Sequence, residues 1–357
     1  MNPVWQRLSL FESRDILASR FSDRHGRHLG PAKAREISSH VAQARQYYES
    51  SFQANSLTRP LLLYYGCLSL ARGLALFASP NLRETSLSPG HGLRADWTRV
   101  LNTGAKLEEL QIKISNAGTF QELQNATGPR ERVRVISVPF PNQAWATESG
   151  SGTATWGRHV RFGDVISRIP SALEVYQESL GEEAHCFPAT QSTLAHGTPQ
   201  EQTDVIILPS AIGLPTDTHI REELVLPEQV VIRSSSQFFS IVCQHLSFRI
   251  QRHPSHPDFH AYESPLMRLD PVEQSSPYII HPFYVASLIN GDLKFTTVEL
   301  LYLTAFALGT LVRYHPTYLA TIRSHGLGDK YSPIIQHLTD IVEAEFPART
   351  LAHFSIG

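Results

Sequence analysis

Two long apolar segments, more than two hundred positions apart, constrain the fold more than any other feature of this sequence. The first runs from Arg59 to Phe77 and the second from Val298 to Pro316. A helix that is apolar on nearly every face has to be surrounded by protein on all sides. We therefore predict that both segments are buried helices of one core, built from the two ends of the chain.

A membrane-spanning role for these segments is disfavoured by their charges. Spanning a bilayer requires about 20 mostly apolar residues. The first segment carries Arg72 in its middle, and the second is bounded by Glu299 and Arg313. The first residues of the chain also lack the charged-then-apolar pattern of a signal peptide. The sequence thus predicts a cytoplasmic protein with no membrane partner.

The composition is that of a globular protein, with 357 residues, 41% hydrophobic and 18% charged. A net charge of −2 gives the whole chain no attraction to nucleic acid or to anionic lipid. Three scattered cysteines, Cys67, Cys186 and Cys243, are too few for a disulfide framework or a thiolate zinc site.

Residues Pro31 to Asn55 have the pattern of an amphipathic helix that starts at a proline. Its apolar residues recur at steps of three and four: Ile37, Val41, Ala44, Tyr48 and Phe52. A short break follows, and Pro60 opens the next helix. Helices joined by so short a loop pack antiparallel, so we predict an αα-hairpin.

The C-terminal end is also predicted to be helical. Thr296 and Glu299 have the spacing of a capping box at the start of the second apolar helix. Pro316 ends that helix or begins a kinked continuation to Ile322, and a last helix begins near Ser332.

The middle of the chain has a different character. Short runs rich in β-branched and aromatic residues predict strands at 133–138, 205–208, 224–232 and 238–250. The predicted fold is therefore mainly α with a mixed α+β insertion. The helical core comprises residues 1–130 and 292–357, and the insertion comprises residues 131–291.

Four motifs in this order resemble those of the YaaC-like family of bacterial proteins. The first motif starts with Arg59-Pro60-Leu61, and the other three are His91-Gly92-Leu93, Gly118-Thr119-Phe120 and Leu311-Val312-Arg313-Tyr314-His315-Pro316. The resemblance covers the N-terminal third and about the last sixty residues, and Tyr318 stands close to where a tryptophan is expected. The family is largely uncharacterised, but its hairpin is similar to that of HEPN domains, which are helical modules that often act as ribonucleases.

Five residues are candidates for ligand binding: Arg59, His91, Arg94, Arg313 and His315. His91 and Arg94 follow a turn-rich loop, where binding residues are common. Arg313 and His315 lie at a predicted helix end, which is where HEPN sites tend to fall. The alternatives are that His91 only hydrogen-bonds a turn and that Arg313 only complements the helix dipole.

A basic strip at residues 20–35 is a candidate nucleic-acid surface. It includes Arg20, Arg24 and Arg27, whose charges could steer phosphates. Arg20 and His25 also have the R-x4-H spacing of HEPN ribonucleases, although this spacing arises readily by chance and lies before the hairpin. A solvated basic face or a protein-binding surface is the alternative.

Arg72 interrupts an apolar helix and therefore needs a partner. A buried guanidinium is costly unless it is paired, and Glu299 is one candidate carboxylate. The alternative is that the Arg72 side chain reaches solvent along a polar strip.

No metal or cofactor is predicted. The segment His253 to His260 contains three histidines and an aspartate, which could ligate zinc, but a polar histidine-rich loop is the commoner explanation. A P-loop, a dinucleotide-binding glycine pattern and a nucleophile elbow are all missing from the sequence.

Two functional hypotheses follow. The first is a non-catalytic binding or assembly module that engages a protein or nucleotide partner, or a second copy of itself as a homo-oligomer, through its helical core. The second is a metal-independent HEPN-like ribonuclease that binds RNA and acts as a toxic effector in antiviral, antiphage defence.

Overall fold

The computed structural model describes residues 2–103, 106–127, 130–137, 144–150, 155–182, 184–194, 204–209, 249–253, 256–269, 282–287, 289–290, 293–324 and 330–355. The chain divides into two units. The first unit comprises residues 1–128, 154–184 and 295–357, and the second comprises residues 129–153 and 185–294.

The first unit is mainly α-helical. Its helices are α1 Pro3–Leu8, α2 Arg14–His25, α3 Pro31–Gln53, α4 Arg59–Ala78, α5 Thr98–Thr103, α6 Thr119–Ala126, α7 Phe162–Ile166, α8 Leu173–Leu180, α9 Thr297–Tyr314, α10 Pro316–Arg323 and α11 Tyr331–Ser355. Short 3-10 turns occur at Ser9–Glu12, Glu84–Ser86, Leu107–Glu109 and Pro170–Ala172. An antiparallel sheet of three strands, in the order β1 Leu93–Asp96, β2 Gln111–Ile114 and β5 His159–Arg161, completes the unit.

Helices α3 and α4 form the predicted antiparallel hairpin. The Tyr48 hydroxyl lies 3.2 Å from Cys67 Sγ, and the Ser69 hydroxyl donates to the Gln43 side chain at 3.0 Å. Between the helices, the Asn55 side chain accepts from the backbone N–H groups of residues 57 and 58, which fixes the turn. The hairpin prediction is confirmed.

The prediction that Phe52 belongs to the buried stripe of α3 is wrong. Phe52 is 63% exposed, whereas Ser51 is fully buried and donates to Tyr48 O and to Glu343 Oε1. The core-facing positions advance by alternating steps of four and three, from Ile37 through Tyr48 to residue 51. A second consecutive step of four, from Tyr48 to Phe52, therefore turns away from the core-facing side of the helix.

Helices α4 and α9 pack closely enough that a glycine is required between them. A Cβ atom added to Gly309 would lie 2.8 Å from Tyr64 Cβ and 2.9 Å from Tyr64 Cγ. The Tyr64 ring also contacts Phe306 and Tyr302 edge-on, at centroid distances of 5.7 and 6.2 Å. Every residue from 297 to 311 is buried. The two apolar segments therefore share one core, as predicted.

Helix α4 is also the one helix of the described residues that is long and apolar enough to cross a membrane. However, 67% of the most apolar 18-residue stretch of this helix is buried inside the fold. Burial of this kind is typical of the core helix of a soluble protein.

The ends of the C-terminal helices agree closely with the sequence signals. Thr296 accepts from the Glu299 N–H, and the Glu299 side chain accepts from the Thr296 N–H, which completes the predicted capping box. Pro316 begins α10 directly after α9, and α11 begins at Tyr331, one residue before the predicted start.

Basic side chains from α2 and α3 close the C-terminal end of α4. Lys33 Nζ donates to the carbonyl oxygens of Ser79, Pro80 and Leu82 at 2.5 to 2.9 Å. The His25 ring bonds to the Phe77 carbonyl oxygen at 2.9 Å. The Lys33 ammonium complements the negative end of the helix dipole. Burial nevertheless lowers the pKa of Lys33 to about 8.

The second unit contains a seven-stranded antiparallel sheet. Its strands are β3 Arg130–Ser137, β4 Ala144–Gly150, β6 Cys186–Leu194, β7 Asp204–Pro209, β8 Arg249–His253, β9 His256–Leu269 and β10 Pro282–Ser287. The order is β4-β3-β9-β10-β6-β7, with β8 paired to β9. The strands predicted at 133–138 and 205–208 are confirmed as β3 and β7. The prediction at 224–232, and that at 238–250 up to residue 248, lie outside the described residues.

Residues 154–184 belong to the first unit in the structure, although the sequence pattern included them in the insertion. They supply strand β5, whose pairing with β2 completes the small sheet. The chain therefore returns to the helical unit once before the second unit continues.

The close approach of α4 and α9 predicts that Gly309→Ala destabilises the protein. Overpacking costs about 1–3 kcal/mol, which exceeds the roughly 1 kcal/mol that alanine gains over glycine in a helix. We expect the free energy of unfolding, measured by urea denaturation, to fall. Gly90→Ala is the control because the nearest atom to its added Cβ is 3.9 Å away. A Gly309→Ala protein as stable as the parent would show that the helices are farther apart.

Candidate functional site

A cavity of about 300 Å³ in the first unit is the candidate site. It lies where the end of α9 meets the start of α4 and the segment that includes β1. Its lining residues are Leu61, Tyr64, His91, Leu93, Arg94, Ala95, Trp97, Phe306, Gly309, Thr310, Arg313, Tyr314 and His315. The structure thus brings together four of the five predicted binding residues, which come from both ends of the chain.

The polar lining of the cavity is cationic. Arg94 and Arg313 line it with two histidines, and none of the thirteen lining residues is acidic. In the part of the chain that the structure describes, neither arginine forms an ion pair with a carboxylate. Arg313 instead donates to the Tyr65 hydroxyl at 3.0 Å and lies 5.1 Å above the Tyr314 ring. Both guanidinium groups remain available to an anion.

The two histidines of the cavity favour their neutral forms. Burial lowers the pKa of His91, and the charges of Arg72 and Arg313 lower it further. Burial also lowers the pKa of His315. His91 Nδ1 is shielded from solvent and has no hydrogen-bond partner among the described residues. Because buried polar atoms are normally paired, His91 has capacity for one more hydrogen bond.

Aromatic rings form the apolar wall. Trp97 lies 5.0 Å from the His315 ring and 6.3 Å from the Tyr318 ring, and its Nε1 donates to Thr310 Oγ1 at 3.4 Å. Sequence reasoning did not select Trp97. No sequence signal identified it, because the family pattern leads one to expect a tryptophan near Tyr318 and not at position 97; in the structure Tyr318 packs against Trp97.

Two glycines hold the His91 loop against the start of α6. Gly92 and Gly118 have φ values of 80° and 136°, which side chains disfavour, and a Cβ atom on Gly118 would overlap the Gly92 backbone. The N–H groups of Thr119 and Phe120 donate to the carbonyl oxygens of Gly90 and His91 at 3.1 and 3.0 Å. The two glycine-containing motifs are therefore in direct contact, and this contact fixes the position of His91.

Arg72 clamps the same loop, and the prediction that it pairs with Glu299 is wrong. Its Nε donates to Thr119 Oγ1 at 3.0 Å, and its guanidinium also donates to the carbonyl oxygens of Pro89 and Ser88 at 3.1 and 3.4 Å. Glu299 instead caps its own helix and accepts from Thr127 Oγ1 at 2.9 Å. Carbonyl oxygens can satisfy a half-buried guanidinium, so no carboxylate is needed.

Arg59, the fifth predicted binding residue, does not line the cavity. Its guanidinium pairs with Asp340 at 2.7 Å and with Glu343, and these two carboxylates belong to α11. It therefore ties the start of α4 to the last helix.

The predicted basic strip is divided among structural contacts. Arg24 donates to the His353 carbonyl oxygen at 2.6 Å, and Arg27 donates to Asn81 Oδ1 at 3.2 Å. Arg20 is exposed on α2, and its R-x4-H partner His25 bonds to the end of α4. None of these residues lines the cavity.

Among the described residues, no group of three or more histidine, cysteine or acidic side chains could hold a metal ion. The side chains of the histidine-rich segment from His253 to His260 lie outside that description.

The neutral histidines predict a pH-dependent stability. Burial is the leading cause of a lowered pKa at four histidines: His25, His40, His91 and His315. Because the unfolded chain binds protons more readily at these sites, stability is greatest above pH 7 and falls as the pH drops through about 6.5. Urea denaturation at pH 7.5 and 5.5 should show this loss, and His91→Gln should reduce it. His28→Gln, at an exposed position, is the matched control, and an equal effect of the two variants would contradict the assignment.

Comparisons with curated proteins and with solved structures gave no significant match. A family model described as YaaC-like protein matches residues 10–354. Since this match covers nearly the whole sequence, the chain belongs to the YaaC-like family.

Proposed function

We propose that the protein is a binding module whose helical core holds a nucleotide in the cavity at the end of α9. The observation that carries the proposal is the cavity lining, which combines aromatic walls with two arginines that have no carboxylate partner among the described residues; none of the thirteen lining residues is acidic. A ligand that satisfies this lining has an anionic part and a flat apolar part.

The anionic part is best supplied by a phosphate group. Guanidinium groups bind phosphate oxygens through pairs of parallel hydrogen bonds. Arg94 and Arg313 enter the cavity from different elements, β1 and α9, and could contact one phosphate from two sides. A neutral imidazole can donate one further hydrogen bond, and His91 and His315 are available for it.

The flat part is best supplied by a nucleobase. Aromatic rings stack on bases of any identity. Trp97 and Tyr314 offer ring surface on the cavity wall. A volume of about 300 Å³ is at the lower end of the range for small-molecule sites. This size favours one nucleotide over a dinucleotide cofactor.

The lining also indicates how the phosphate is neutralised. Mg²⁺ in nucleotide sites is usually held by one or two carboxylates together with the phosphates. None of the described residues that line the cavity carries a carboxylate, so the arginines take this role in the proposed complex. It stays a prediction that the protein forms a homo-oligomer or that a protein partner recognises the nucleotide-bound form.

Arg313→Gln tests the proposal. Hydrogen bonds to charged groups contribute about 1.5–3 kcal/mol, so the variant should bind AMP about 10-fold to 150-fold more weakly. Isothermal titration calorimetry with AMP, adenosine and inorganic phosphate should show the tightest binding for AMP, which has both parts. Arg35→Gln, with the same charge change at an exposed position of α3, should bind AMP like the parent. Equal affinity of Arg313→Gln and the parent would reject the proposal.

The second candidate function is a metal-independent, HEPN-like ribonuclease, the activity expected of a toxic antiphage effector. It is favoured by one observation, namely that His91 and His315 line the same cavity as both arginines. One neutral histidine could accept the proton of an RNA 2′-hydroxyl as this oxygen attacks phosphorus. The second histidine, in its minor protonated form, would donate a proton to the departing 5′-oxygen, leaving a 2′,3′-cyclic phosphate, while the arginines stabilise the added charge.

RNA cleavage would separate the two candidates. If the ribonuclease mechanism operates, the protein should cleave total RNA in EDTA, and His91→Ala and His315→Ala should each reduce the rate about 100-fold or more. His25→Ala, which removes a histidine at the end of α4, should retain the activity. Absence of cleavage by the parent protein, together with AMP binding, would leave the binding module as the function.

A further inference from the structure

We propose that the nucleotide in the cavity is the terminal residue of a single-stranded nucleic acid, and that the next base stacks on an aromatic track outside the cavity. The track consists of Tyr314, Arg313, Tyr65 and Tyr47. This inference rests on the proposed function, because the track begins at a residue of the cavity lining.

The track is continuous from the cavity to α3. Arg313 lies over the Tyr314 ring with its Cζ 5.1 Å from the ring centroid. The same guanidinium donates to the Tyr65 hydroxyl at 3.0 Å. Tyr65 stacks on Tyr47 with a centroid distance of 5.7 Å and an interplanar angle of 29°. Arg313 thus connects Tyr314 of α9 with Tyr65 of α4, and Tyr65 stacks on Tyr47 of α3.

The track is accessible to a ligand. Tyr314 is 58% exposed, Arg313 is exposed, and Tyr47 and Tyr65 are each partly exposed. An aromatic core residue would be covered instead. In particular, Tyr64, the neighbour of Tyr65, is almost fully buried against α9. Adjacent tyrosines of α4 therefore serve different purposes, one in the core and one at the surface.

The chemistry of the track fits single-stranded nucleic acid. Such ligands are bound by aromatic rings that stack on successive bases, with cations placed along the backbone. Arg313 is exposed, lines the cavity and bonds to Tyr65, so it connects the site of the first nucleotide with the tyrosine pair. This is the position required to contact the phosphodiester that links two nucleotides. Tyrosine and arginine are also common at protein interfaces, but such an interface would not need a cavity lined by arginines that lack a carboxylate partner among the described residues.

Binding of mononucleotides and dinucleotides tests the inference. The probes are AMP and 3′-AMP, compared with diadenylates phosphorylated at the 5′ end or the 3′ end, in ribose and deoxyribose forms. Stacking of one base on an aromatic side chain should make the matching dinucleotide bind about 5-fold to 150-fold more tightly than its mononucleotide. The two sugar forms show whether RNA or DNA is preferred.

Tyr47→Leu should abolish this gain and leave mononucleotide affinity unchanged, because Tyr47 does not line the cavity. Unchanged mononucleotide binding also shows that the variant is folded. Phe52→Leu is the matched control, since it removes an exposed aromatic ring from the same helix but outside the track.

Three results would overturn the inference. Dinucleotides that bind no more tightly than mononucleotides would show that the track is not a stacking surface. A loss of affinity in Tyr47→Leu that is equal for both ligand lengths would assign Tyr47 to the support of the cavity. Failure of every mononucleotide and dinucleotide to bind would reject the proposed function as well, and the track would then be assigned to a protein partner.

Discussion

The close contact between Tyr64 and the backbone of α9 at Gly309 is the constraint on which the rest of the first unit depends. It brings together two helices that are more than two hundred residues apart in the sequence. On another face of α4, Gly66 leaves room for Tyr48 of α3 in the same way, since a Cβ atom there would lie 2.6 Å from the Tyr48 ring. Helix α4 is therefore enclosed by two tyrosine–glycine contacts, and the cavity forms beyond the first of them.

The cavity combines a rigid loop, which carries His91, with an exposed arginine, Arg313, that has no carboxylate partner among the described residues. Arg72 and the paired glycines, Gly92 and Gly118, hold the loop that carries His91, so that this side chain does not need to be ordered when a ligand binds. Preorganisation of this kind reduces the entropic cost of binding. Arg313 has the opposite character, because it is exposed and bonds only to neutral groups among the described residues. An imidazole on a fixed loop beside an exposed guanidinium is suited to recognising an anion.

Local signals predicted the helices α3, α4, α9, α10 and α11, because proline positions, a capping box and apolar periodicity act over a few residues. The other described helices were not predicted. Phe52 shows the limit of periodicity, since steps of three and four diverge from the true core face after several turns. The partner of Arg72 could not be predicted, because carbonyl oxygens leave no signature in a sequence. His91, Arg94, Arg313 and His315 were selected from separate motifs and line one cavity, but only packing reveals that Arg59 faces α11 and that Trp97 completes the wall.

The separation of α4 from α9 along the chain has a consequence for biosynthesis. Helix α4 ends at residue 78 and α9 starts at residue 297, so the ribosome adds 218 residues between them. At about 5–20 residues per second, the hairpin waits roughly 10–45 s for the helix that covers it. During this interval its most apolar face is open to water. Transiently exposed apolar surface of this kind promotes aggregation, so the order of synthesis makes the nascent chain most vulnerable before about its last sixty residues emerge.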